Sequence, residues 1–337
     1  MPRHSISQPV ILLILIGAAI GASFLGRRPA YSQAAGGQPL ITLALMGDVM
    51  LGRDVARAHA DGSWSLALGE LAPLLKSADL AMANLESPLA MTVPPGVQQA
   101  LAAGEYNLCA PGQAVQALTS AGLDVLSLAN NHTGDCGQGG LAETTEILMQ
   151  AGLIPLLPGQ THALTVNRLK LALLAFDDIR AALDLTAAAA QVRTASAEGA
   201  LVIVSMHWGS EYQSGPNSRQ EEIAGALLQA GAVLVWGHHP HTLQQVVWQR
   251  GGHDGPPFAR GTLVAYSLGN GLFDTISPPD ARRSAVLLVT LGTDGVLGIR
   301  AIPVQISPLD AAAHLADRAT AEAVQRRLGM PLIETMP

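Results

Sequence analysis

At 337 residues, with 49% hydrophobic side chains and only 13% charged ones, the chain can bury a sizeable core, which excludes a disordered or fibrous protein. Its net charge of −7 becomes −10 once residues 1–34, which carry three arginines and no acid, are set aside. That balance excludes nucleic acid as a partner, because binding it needs a cationic footprint.

Arg3 and His4 precede an apolar run over 10–25, followed by Arg27, Arg28 and small residues ending at Ala34. The pattern reads as a signal peptide cleaved near Ala34 or, alternatively, as a retained N-terminal membrane anchor, since the run is shorter than the roughly 20 residues of a spanning helix. Later apolar runs are interrupted by Gly, Pro, Asn or Asp, so no further span is expected. Residues 35–310 read as one domain, and 311–337 as a closing helix and tail.

Along the domain, apolar strands repeatedly end in polar clusters. Residues 40–46 run into Gly47-Asp48. A helix is expected over 65–75, then a strand over 79–83 opening into Asn84-Leu85-Glu86. Residues 90–110, with Pro94, Pro95, Gly96 and Gly104, read as a long loop, of a length that is usually functional or mobile. A helix over 111–121 has proline at its start and Gly122 just past its end. The strand over 124–128 ends in Asn130-Asn131-His132; the sequon Asn131-His132-Thr133 is discounted because it occupies the same post-strand position as the other clusters.

Helices are then expected over 141–151, 181–197 and 219–230, and strands over 168–176 and 201–206. The second of these strands stops at His207-Trp208-Gly209, with Glu211-Tyr212 beyond. Residues 233–236 form a fully buried strand, followed by Gly237, His238, His239, Pro240 and His241. A strand over 262–268 leads to Gly269-Asn270. Residues 285–291 and 296–306 flank Thr293-Asp294-Gly295, a hairpin signal, and a last helix is expected over 311–328.

The alternation makes this an α/β protein with mostly parallel strands. Right-handed crossovers bring the strand ends to one edge, where open α/β sheets place ligands. Asp48, Glu86, Asn131, His132, His207, His239 and His241 all fall at such ends. Each alone suits a cap or turn; together they point to a shared metal site. Carboxylate, amide oxygen and imidazole suit divalent Mn, Fe, Zn or Mg, and the lack of thiolate ligands argues against a structural zinc.

The ordered segments Gly47-Asp48-Val49-Met50-Leu51-Gly52-Arg53, Asn84-Leu85-Glu86, Leu128-Ala129-Asn130-Asn131-His132, His207-Trp208-Gly209 with Glu211-Tyr212, Gly237 to His241, and Tyr266 to Asn270 resemble the signature of the CapA family. That family is associated with poly-gamma-glutamate capsule synthesis and is similar to the calcineurin-like metallophosphoesterases. The resemblance implies a layered sandwich with mostly parallel central sheets and helices on both outer faces. It further implies two metals bridged by Glu86, one completed by Asn131, His207 and His239 and the other held by Asp48 and His241, with His132 as general acid. Two positions depart from the phosphoesterase pattern: Met50 stands where a histidine is expected, and Glu86 where an aspartate is. Arg53 and Tyr212 are candidates for an anionic substrate, and Glu211 and Asn270 for substrate contact or ligand orientation.

Two functions are open to such a site. One is a metal-dependent hydrolase acting on a phosphoester or the glutamyl polymer, in capsule or cell-envelope production. The other is a non-catalytic accessory protein that holds an anionic polymer or membrane-bound polymer synthesis proteins. Cys109 and Cys136 are either buried thiols or one disulfide; export, and their placement around the helix and strand leading to Asn131, favour the disulfide.

Overall fold

The computed structural model describes residues 37–251, 260–274 and 278–329. The expected signal or anchor over 1–34 lies outside them. Among the described residues no helix is long and apolar enough to cross a membrane.

Two sheets pack face to face. In the first, the strands run in the order Ala312–Leu315, Gly295–Ser307, Arg283–Gly292, Ile41–Val49, Leu80–Leu85, Val125–Ser127 and Ile154–Leu156, with Asn270–Leu272 added beside Ile41–Val49. From Ile41–Val49 onward this sheet is parallel, while its other half is antiparallel. The second sheet runs Val246–Gln249, Thr262–Ala265, Ala232–His238, Leu201–His207, Leu169–Asp177 and Thr161–Val166, with a parallel centre and antiparallel edges.

Strand alternation divides the side chains between layers. Leu43 and Leu45 turn inward and share one buried cluster with Ile203, Val233 and Trp236 of the opposite sheet. Ala44 and Met46 turn outward, into a cluster with Leu118 and Leu148 of the helices Val115–Ala121 and Gly140–Gln150. On the far side, Val202, Val204 and Val235 meet Val192, Ile223 and Leu227 of the helices Leu185–Ala197 and Ser218–Gln229. The result is helix, sheet, sheet, helix. Trp236 also ties the two sheets by donating its indole N–H to Met46 O at 2.9 Å.

Several boundaries differ from expectation. The buried strand over 233–236 continues to His238, so that histidine lies within the sheet. Residues 90–110 contain the helix Pro95–Ala102, and 65–75 breaks into two 3-10 turns before the helix Ala72–Lys76. The closing segment is no single helix: Ala312–Leu315 adds to the sheet edge before the helix Arg318–Leu328. Apolar spacing in that segment suits a helix, yet the neighbouring strand's open edge captures its first half through the ladder from Val304–Leu315 to Ser307–Ala312. The hairpin around Asp294 forms, pairing Gly292 with Gly295.

Two glycines let the backbones close at the carboxyl edge. A Cβ on Gly47 would lie 1.7 Å from Gly269 O, and one on Gly237 2.1 Å from Tyr266 O. These contacts seat the strand ends carrying Asp48 and His238 against the segment that leads from Tyr266 to Asn270.

Candidate metal centre

The carboxyl ends of both sheets meet at one buried polar cluster. Register places Asp48 beside Asn84 and Asn270, and His207 beside His238. Asp48, Glu86 and His207 are fully buried, and His241 nearly so.

Ligand atoms of Asp48, Glu86 and His241 lie within 4.8 Å of one another, as do those of Glu86, His207 and His239. Glu86 belongs to both groups. Its Oε1 lies 3.5 Å from His207 Nε2 and 3.8 Å from His241 Nε2. His207 Nε2 also faces Asn131 Oδ1 at 2.7 Å, bringing that amide oxygen to the second group. A third group joins Glu211, which is exposed, to His239 and His241.

Among the described residues neither oxygen of Glu86 finds a hydrogen-bond donor, and His239 Nδ1 and His241 Nε2 are likewise buried without partners. Buried polar atoms are normally satisfied, and a buried carboxylate with no donor is costly. A divalent cation among these atoms would satisfy them, so the residues fit a metal.

Electrostatics point the same way. Burial drives the Glu86 carboxyl well above its ordinary range, opposed by His241 and reinforced by Asp48, Glu211 and Asp135. Burial alone would lower His241, but Glu86 and Asp48 outweigh it and raise it to about 10. Asp48 is held well below the usual carboxylate range, because His238 and His241 outweigh its burial. Burial, followed by His241, lowers His239 to about 4, and burial keeps His207 well below its ordinary value. The centre thus offers neutral imidazoles at His207 and His239, and at Glu86 and His241 a buried pair that holds at least one proton near neutral pH.

Side chains that the sequence reading passed over hold this arrangement. Asn84 donates to Asp48 Oδ1 at 2.9 Å and faces His207 Nδ1 at 3.5 Å. Asn130 donates to Asn84 Oδ1 and to Leu85 O, and its own Oδ1 accepts the His132 backbone N–H. Asp135 Oδ2 lies 2.9 Å from His132 Nδ1, and His238 Nδ1 lies 3.4 Å from Asp48 Oδ1. Asp135 lies three positions after His132, a spacing visible in the sequence, whereas the partner of Asn84, Asp48, lies 36 positions away and gives no local signal.

Other candidates fall in different places. Asn270 is buried; its Oδ1 lies 2.9 Å from His241 Nδ1, where an amide oxygen can only accept, and its Nδ2 donates to Ala281 O. That placement holds the His241 ring from behind, the geometry of the ligand-orienting alternative. Met50 is buried in the helix-side core, its sulfur accepting the Gly52 N–H at 3.0 Å. Tyr212 and Arg53 lie at the rim, Tyr212 with its ring 6.0 Å from that of His241.

Four of the seven described non-glycine residues with positive φ belong to this region: Arg53 at 48°, Tyr212 at 60°, His239 at 91° and His241 at 55°. Such conformations cost about 1–3 kcal/mol each and concentrate at functional sites.

Residues 42–275 match the family described as bacterial capsule synthesis protein PGA_cap. The capsule biosynthesis protein CapA of Bacillus anthracis is 29% identical over 334 aligned residues, covering 90% of this chain and 76% of that one. The PGA biosynthesis protein CapA of Bacillus subtilis (strain 168) is 27% identical over 290, covering 79% and 72%. A solved structure of a hypothetical protein from Thermus thermophilus shares 17% identity at a TM-score of 0.49, covering 79% of this chain and 99% of that one. The family match runs through every strand end that carries a candidate ligand, and the chain belongs to the bacterial capsule synthesis protein family, PGA_cap or CapA.

Proposed function

We propose that the chain is a divalent-metal-dependent hydrolase, exported or anchored through residues 1–34, that cleaves a phosphoester or glutamyl amide during capsule or other cell-envelope polymer production. The observation that carries this reading is Glu86, a buried carboxylate without a hydrogen-bond donor that both buried groups share. The names of the two CapA relatives supply the capsule context.

In this reading Asp48 and His241 would hold one metal and Asn131, His207 and His239 the other, with Glu86 available to both. The metals, Mn, Fe, Zn or Mg, supply Lewis acidity and a water of lowered pKa. The protein does the rest. Asn84 and Asn270 fix the ligating side chains. Asp135 can only accept as a carboxylate, so it keeps a proton on His132 Nδ1 and orients the ring. His132 Nε2 then delivers a proton to the leaving group.

Met50 favours a second reading, an accessory protein holding an anionic polymer or membrane-bound synthesis proteins. Its buried thioether leaves the Asp48 and His241 position with three protein ligands, counting the shared Glu86. Metal analysis of the purified chain, followed by assays with a phosphomonoester, a phosphodiester and a glutamyl amide with and without Mn, decides between them. Metal-dependent turnover supports the hydrolase. A metal-loaded wild type no faster than His132→Ala leaves the binding reading.

A further inference from the structure

Three side chains form a row leading outward from the centre. The Tyr106 ring centroid lies 5.6 Å from that of His132. The Arg53 guanidinium sits over the same tyrosine ring, 4.7 Å from its centroid. Tyr106 is 59% exposed. A single exposed tyrosine is ordinary, but this one stands among the groups of the site: partial burial, then the Glu86 charge, push its phenol up, with Tyr212 and Glu211 adding.

Its loop is held on the His132 side. The disulfide between Cys109 and Cys136 and the bonds from Asn107 and Leu108 to Asp135 join residues 107–109 to the turn after His132. Arg53 is also fixed. Its backbone has φ 48°, and its Nε forms an ion pair with Asp274 Oδ2 at 3.2 Å, a carboxylate whose side chain is only 3% exposed. Among the described residues, neither Nη of Arg53 has a hydrogen-bond partner. A strained backbone, an anchored Nε and two free terminal nitrogens describe a donor fork held ready at the rim.

We infer that Arg53 and Tyr106 form a subsite for a carboxylate carried by the departing half of the substrate. The inference rests on the reading of His132 as the leaving-group acid, because His132 marks the leaving side and Tyr106 and Arg53 extend from it. A planar carboxylate matches the two free Nη donors, and the ring supplies a wall beside it. Asp274 already offsets part of the Arg53 charge, which favours a singly charged carboxylate over a phosphate dianion. The substrate class is then an ester or amide with an acidic leaving group.

The test compares benzylphosphonate with 4-carboxybenzylphosphonate, binding each to the manganese-loaded full chain by calorimetry. The carboxylated compound is expected to bind about tenfold tighter or more, the worth of one charge-assisted pair. Arg53→Gln should bring the ratio close to one, Tyr106→Ala should reduce it, and Tyr106→Phe, which keeps the ring, should restore it. Equal affinities in the wild type, no binding of either compound, or a ratio unmoved by Arg53→Gln would overturn the subsite. Failure of the hydrolase reading looks different: 4-nitrophenyl phosphate and glutamyl anilide are not turned over while the affinity ratio stays intact.

Discussion

His132 Nδ1 lies 2.9 Å from Asp135 Oδ2. The same carboxylate oxygen accepts the backbone N–H of Leu108 at 2.7 Å, so the ring's orientation is tied to the rim loop. His132→Ala is expected to lower turnover about 100- to 10,000-fold, the usual worth of a positioned proton donor, with metal content and folding nearly intact. Asp135→Asn should lower turnover by less, because the ring remains but loses its charged partner. Steady-state kinetics alongside metal analysis of each variant check this; loss of metal in His132→Ala would contradict it.

Deleting a ligand has a different signature. His239→Ala should remove metal and activity together, since it opens the group formed with Glu86 and His207. In the wild type, the position held by Asp48, His241 and the shared Glu86 should empty first during chelation. Loss of two equally held metals in one step would argue against unequal positions.

Metal uptake should release protons. His241 is raised to about 10, and Glu86 is pushed well above its ordinary range, so at pH 7 the metal-free pair holds at least one proton. Only neutral imidazole and ionised carboxylate ligate. Binding at pH 7–8 should therefore expel about one to two protons, and apparent affinity should climb with pH until about 10, with His239, lowered to about 4, contributing none above about pH 5. Calorimetry in buffers of different ionisation enthalpy measures the count directly. A count of zero would show that the pair is already in its ligating form.

The bond between Cys109 and Cys136 closes a sequence separation of 27. On the chain-entropy account such a loop contributes about 3 kcal/mol. Cys109→Ser/Cys136→Ser should lose roughly this in denaturant unfolding. It should also loosen the Tyr106 rim, seen as faster hydrogen exchange at residues 103–108, while the buried ligands keep their metal.

Much of the centre was legible in the chain because buried parallel strands must end where the sheet does. A run of apolar residues closed by Asp48, Glu86, His207 or His239 announces a side chain at that edge, and the α/β alternation predicts that such edges coincide. Two of the strands passed over in the sequence, Thr161–Val166 and Val246–Gln249, are edge strands in which burial alternates with exposure, so neither forms a fully buried run.

What the sequence by itself determined was therefore which residues stand at the strand ends, since strand length and side-chain alternation are local properties. Tertiary structure alone decided which of them share an ion, because Glu86 can face both His207 and His241 only once two separate sheets have packed together. It also decided the roles of Asn84 and Tyr106. A hydrogen bond from Asn84 to Asp48 spans 36 positions, and the placement of Tyr106 beside His132 depends on a disulfide and a loop. No local pattern encodes such contacts; they arise because a buried polar group must find its partner wherever the fold supplies one.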